Sequence, residues 1–271
     1  MYKEAYNLLK FQYESCLKIV KDNQYCTDFA NEKWRHSMQV AGAGNYLIQH
    51  IEWLKDKPES YIEMVKTAVL LHDICRFTEI VRIYNNKKKF DHGNAGANLL
   101  RNLALFMDIR IWLPIRHHGH MIEDLYNDHT FLNIEDNALQ EEVKKICFII
   151  RDADKIANLR MLAQEKEMRR LFFTKAEDDK DDGEVPELAQ KQALEGKIIN
   201  KEFRKTSASC LAGFLSWYTD INYHVSIDFC EKLHITQKLL NLFEDICSDS
   251  VFKLQYCAAI RKMIREKDYL S

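Results

Sequence analysis

The chain is poor in the residues that make sharp turns. Its 271 residues include only eight glycines and three prolines, too few for an all-β fold with its many tight connections. It also lacks paired cysteine motifs. Eight cysteines are scattered without a single CxxC, which suits reduced, buried thiols better than a disulfide frame or a thiolate zinc site. No stretch approaches the roughly 18 apolar residues of a membrane span. The opening MYKEAYNLLK is charged and has no signal-peptide core, so the expected compartment is the cytoplasm and no membrane partner is expected. A strong charge of either sign is missing as well. The formal net charge of −2 gives no reason to expect a nucleic-acid partner or an anionic membrane surface.

What is present is an ordinary globular composition. Hydrophobic residues make up 46% and charged residues 30%, which argues against disorder. The length allows one large core or two small ones. Helical periodicity dominates: Tyr6, Leu9, Tyr13, Leu17 and Val20 recur at three- and four-residue steps. A second helix is expected from about Asn31, a candidate N-cap, to about Lys55. Pro58 marks a break, and a third apolar face (Ile62, Val65, Val69, Leu70) leads to His72. The pattern resumes at GNAGANLLRNLALF and from Ile109 towards His118, and a long helix is expected from about Asp136 to Leu162. The run KAEDDKDDGE, residues 175–184, reads as a solvated connector, with three or so helices beyond it. The expected organisation is all-α: residues 1–174 as a helical core with an N-terminal helix, and 175–271 as the charged loop and a C-terminal helical lobe packed on that core as one unit. Phe214, Trp217 and Tyr218 in the lobe read as core rather than a base-stacking platform.

Five core segments carry ligand-type side chains: WRHS (His36), LLHDICRF (His72, Asp73), FDHGNAGANLL (His92), RHHGH (His117, His118) and RDADKIANLRML (Asp152, Asp154). A lone helical histidine is ordinarily a surface or satisfied core residue. Neighbours on a helix point about 100° apart, so His72 and Asp73 can meet one ligand only at a helix end facing a cavity. The collective order, H…HD…H…HH…D, is what points to a shared site. Asp152 is the rival of Asp154, two positions away on roughly the opposite helix face. His50, His120, His129, His224 and His234 read as structural or exposed.

That order and spacing resemble the HD-domain metal-dependent phosphohydrolases, an all-α superfamily named for its His-Asp doublet, over about residues 30–163. The histidine before a GA pair and the later HH resemble the two-metal branch seen in HD-GYP and cyclic-di-AMP phosphodiesterases. DADKIANLRML is similar to the closing motif of the ppGpp hydrolases. HDICRF, with WYTDINYHVS at 217–226, resembles a bacterial HD subgroup marked by HDIGRF. Two departures count against cyclic-di-GMP as substrate: HD-GYP enzymes have a lysine where this chain has Arg76, and the GYP segment is replaced by GHMIEDLYNDH.

The resemblance implies that His36, His72, Asp73 and Asp154 hold one metal ion, with Asp73 bridging to a second held by His92, His117 and His118. Imidazoles and carboxylates suit divalent first-row ions, iron or manganese foremost, with Mg, Co, Ni or Zn as alternatives. A water between two ions about 3.5–4 Å apart can lose a proton near neutral pH and attack phosphorus in line. The implied partner is a small phosphorylated substrate, cleaved as a monoester or diester. Arg76, one turn beyond His72, is the candidate phosphate clamp, and a surface ion pair is its plainer role. Asn158, four residues after Asp154, and Lys155 are further candidate substrate contacts. Two other functions stay open: a diiron oxygenase on the same ligand frame, and a regulatory HD domain that binds a nucleotide without turnover. The oligomeric state is not legible.

Overall fold

The computed structural model describes residues 1–88, 90–164 and 183–271, and the chain divides into two compact units, Met1–Asp154 and Lys155–Ser271. The described residues are helical throughout, apart from turns and one isolated parallel bridge between Tyr223 and Leu270. Most of the charged run expected as a connector, residues 175–182, lies outside the described residues.

The first unit contains α1 (Tyr2–Val20), α2 (Gln24–His50), α3 (Glu59–Leu70), α4 (Arg76–Tyr84), α5 (His92–Arg101), α6 (Ile109–His117) and the short α7 (Ile122–Tyr126) and α8 (His129–Leu132). It also holds most of α9 (Asn137–Gln164), which continues into the second unit. The second helix starts earlier than the periodicity suggested. Asn23, not Asn31, is the N-cap, and its side chain accepts the Cys26 amide at 3.0 Å. Asn31 lies inside the helix, where its side chain accepts from the Tyr13 hydroxyl of α1 at 2.6 Å. The helix also stops short of Lys55: Ile51 is extended, and a single 3₁₀ turn, Glu52–Leu54, follows.

Close helix packing is made at two glycines. A Cβ on Gly44 of α2 would sit 2.5 Å from Val69 of α3, so a larger residue would force those helices apart. A Cβ on Gly93, at the start of α5, would sit 2.7 Å from the carbonyl oxygen of Arg116. That oxygen is backbone and cannot turn aside, so glycine lets α5 lie against the end of α6. The core between these helices is apolar and closed, with Leu47, Val65, Leu70, Leu71, Ile74, Ile80, Leu113 and Ile115 all buried.

The second unit has more helices than the sequence suggested. After α9 come α10 (Glu187–Leu194), α11 (Ser207–Leu215), α12 (His224–Lys232), α13 (Ile235–Ile246) and α14 (Ser250–Glu266). A capping box between Thr206 and Ser209 starts α11. Its core is aromatic: Phe243, Phe252 and Tyr256 pack against one another, and the Tyr256 hydroxyl donates to the Ala212 carbonyl at 2.9 Å. Tyr218 is fully buried and Phe214 nearly so. No helix among the described residues is long and apolar enough to cross a membrane.

Candidate metal centre

The site begins where α3 ends. Residues 71–75 form a turn between α3 and α4, closed by the Arg76 amide donating to the Asp73 carbonyl at 2.8 Å. His72 and Asp73 therefore escape the 100° divergence of a continuous helix. Both are buried. His72 Nδ1 lies 3.0 Å from the Val69 carbonyl. A carbonyl only accepts, so Nδ1 carries the proton and Nε2 carries the lone pair. That Nε2 is buried without a hydrogen-bond partner. His118 is built alike, with Nδ1 donating to the Ile115 carbonyl at 2.7 Å and Nε2 turned to Asp73.

Asp73 stands at the centre, and its two oxygens face different neighbours. Oδ1 lies 3.1 Å from His92 Nε2 and 3.4 Å from His118 Nε2. Oδ2 lies 3.8 Å from His72 Nε2 and 3.3 Å from Arg76 Nε. Although both rings are near Oδ1, neither is aligned for a hydrogen bond, and the oxygen is buried without one. On the far side His36 Nε2 and Asp154 Oδ1 are 2.8 Å apart. Two triads follow, His36–His72–Asp73 and Asp73–His92–His118, in each of which one donor atom per residue lies within 4.8 Å of the others.

These atoms fit a cation. Ligands about 2.0–2.2 Å from one ion stand about 3–3.5 Å apart, and the Asp73–His92 and Asp73–His118 pairs fall in that range. A buried polar atom with no partner costs about 1–3 kcal/mol, more when charged, and His72 Nε2 and Asp73 Oδ1 both gain a partner if a cation sits between them. The electrostatics agree. Burial holds the His72 imidazole neutral, its pKa lowered to about 4. Burial pushes Asp73 towards its neutral form, but Arg76, His72 and the rings of His118 and His92 outweigh it and keep the carboxyl well below the usual range. Asp154 is likewise held low against its burial, chiefly by His36. For His118, burial is outweighed by Asp73 and Asp154, which raise its pKa. The carboxylates thus favour positive charge at this point.

The structure brings His36, His72, Asp73, His92, His118 and Asp154 together. It does not bring His117 into either triad. Its Nε2 donates to Asp128 Oδ2 at 2.8 Å, and Arg116 Nη1 donates to the same oxygen at 3.0 Å. Asp128 owes its place to capping α8, where Oδ1 accepts the amides of Thr130 and Phe131. Arg76 is engaged three ways: Nε with Asp73 at 3.3 Å, Nη1 with Glu79 at 2.7 Å and Nη2 with His92 Nε2 at 2.8 Å. Lys155 pairs with Asp220 at 2.9 Å, both in the second unit, so its charge is met by that carboxylate. Asn158 is buried on α9 in the same unit.

Three residues were missed in the sequence. Glu79, buried beside Arg76, looks like any acidic residue of an amphipathic helix. Asp128 sits in a turn-rich stretch with no motif. Arg151 of α9 is buried, and its Nη1 donates to the carbonyls of His117, His118 and His120. It thereby satisfies the open carbonyl end of α6 and fixes the turn that presents His118. Its place three residues before Asp154, one helical turn, was a usable signal.

The fold brings together, within an all-α core, a cluster of histidines and carboxylates that could hold a cation. Residues 34–159, which include every residue of that cluster, match the HD domain. Over this span, a little under half of the chain, the sequence is similar to HD domains. No curated protein and no solved structure matches the chain.

Proposed function

We propose that this protein is a phosphohydrolase that cleaves a phosphate ester of a nucleotide or small phosphorylated metabolite, using one or two divalent first-row ions, iron or manganese foremost. The observation that carries this reading is the division of the Asp73 oxygens, one towards His92 and His118 and the other towards His72. A carboxylate so placed can be shared by two ions. When bound, such ions lower the pKa of a water to about 7 and face the charge that gathers on phosphoryl oxygens. The chain does the rest. The Val69 and Ile115 carbonyls fix the tautomers of His72 and His118, so both lone pairs aim inward before any ligand arrives. Asp73 sets the spacing between the two sides. Arg76, at the edge of the cluster, offers a planar fork suited to phosphate oxygens.

The experiment is a substrate panel on protein purified without air and loaded with Fe²⁺ or Mn²⁺. It should cover phosphomonoesters, nucleotides and cyclic dinucleotides, with Asp73→Asn alongside. The wild type should cleave at least one class and the variant none. Oxygen consumption with an organic substrate and no ester cleavage would mean an oxygenase. Nucleotide binding without turnover would mean a regulatory domain. Either outcome overturns the proposal.

A further inference from the structure

The second triad has a competitor built into the chain. An arginine side chain has five N–H donors and no acceptor. At 2.8 Å from Arg76 Nη2, His92 Nε2 must therefore be the lone-pair nitrogen, because two donors would otherwise face each other. The proton then sits on Nδ1, which lies 3.9 Å from Glu79 Oε2. His92 is thus a neutral imidazole in the tautomer a metal ligand needs, with its one lone pair already held. The same guanidinium contacts Asp73 Oδ2 through Nε, while Glu79 anchors its other arm at 2.7 Å. Glu79 is itself buried, so this arrangement is part of the packed interior.

We propose that Arg76 competes with a metal ion for the Asp73–His92–His118 group. Its guanidinium occupies the His92 lone pair and one face of Asp73, and it must be drawn off, towards Glu79 or an incoming anion, before that group takes an ion. On the His36–His72 side the guanidinium touches only the shared Asp73, through Oδ2, and holds no histidine lone pair. His36, His72 and Asp154 make no hydrogen bond to Arg76, whose three side-chain bonds go to Asp73, Glu79 and His92. The side with His92 should then fill second, because there Arg76 holds a ligand lone pair as well as touching Asp73. An oxyanion that attracts the guanidinium would favour the second step, and by linkage the second ion would favour the anion. The inference rests on the two-sided reading of Asp73 given above and needs no turnover.

Mn²⁺ is titrated anaerobically into wild type, Arg76→Met and Arg76→Lys, with binding followed by calorimetry and ion content checked by elemental analysis. Arg76→Met should bind the second ion at least tenfold more tightly than wild type, the scale expected on losing a charge-assisted hydrogen bond, with a smaller gain for the first ion. Arg76→Lys keeps the charge without the fork and should fall between. Equal second-ion affinity in wild type and Arg76→Met overturns the competition while leaving the two-ion reading intact. A second ion absent from all three proteins overturns both. Wild type alone offers an independent readout: with Zn²⁺ added stepwise, the Arg76 side-chain N–H resonances should shift at the second equivalent. A shift complete at the first equivalent would also overturn the proposal.

Discussion

His36 Nε2 and Asp154 Oδ1 lie 2.8 Å apart although 118 residues separate them in the chain. The contact joins α2 to α9 across the centre of the first unit. Of the two aspartates of RDAD, it is Asp154 that lies against His36. Asp152 is buried too, but it is not among the residues gathered around Asp73. Asp154→Ala should lose bound metal, measured by elemental analysis on folded protein. Asp152→Ala should keep its metal per folded molecule, even if less stable. The opposite pattern would show that the helix presents the other carboxylate.

The adjacent histidines of RHHGH should also separate. His118 faces Asp73, whereas His117 donates to Asp128. His118→Ala should reduce bound metal from about two ions per chain to about one, as expected for loss of half a two-ion site. His117→Ala should keep both ions and lower the melting temperature. The loss is that of a hydrogen bond to a charged group, about 1.5–3 kcal/mol. Loss of an ion from the His117 variant alone would make that ring the ligand.

How much of this centre was legible in the sequence follows from the range of each interaction. The order of ligand types along five segments was readable because each segment carries its own signal. The turn at His72 and Asp73 was readable because adjacent helical residues diverge. Which member of the HH pair faces inward was not, because the choice depends on Asp128, eleven residues away and placed by capping α8. Arg151 and Glu79 were hidden as well. Arg151 finds its partners only where helices meet in the fold, and Glu79 looks like one half of an ordinary i, i+3 pair with Arg76, with nothing local to mark it as buried. The start of α2 failed differently. Both Asn23 and Asn31 suit a cap, and Asn31 is instead held inside the helix by Tyr13 of α1.

Gly93 gives a third prediction. Its missing side chain allows α5 to approach the Arg116 carbonyl, and the neighbouring residue is His92. Gly93→Ala should push the start of α5 outward, at the cost of about 1–3 kcal/mol typical of overpacking. Displacing His92 should weaken the second ion more than the first. Metal titration and thermal melts on the same preparation would check both. An unchanged second-ion affinity would mean that α5 accommodates the methyl without moving His92.

The last prediction concerns acid and the metal-stripped protein. Burial lowers the His72 pKa from 6.5 to about 4. Between those values the unfolded chain takes up a proton at this residue and the folded chain does not. The unfolded state therefore gains relative to the folded one as pH falls, and His72 contributes a loss of stability across this window. The slope is at most about 1.4 kcal/mol per pH unit for one group. His92 and His117, also lowered by burial, add in the same direction, while His118, raised by Asp73, opposes them. Asp73 and Asp154, held below their ordinary value of 3.8, contribute mainly under that pH. A comparison with His72→Asn removes the His72 share and leaves the other groups in place. Urea unfolding of both proteins from pH 7 to 5 should give the wild type the steeper fall. Parallel curves would mean that His72 takes up its proton in the folded protein as readily as in the unfolded chain. Its Nε2 would then not be the free lone pair on which the metal centre depends.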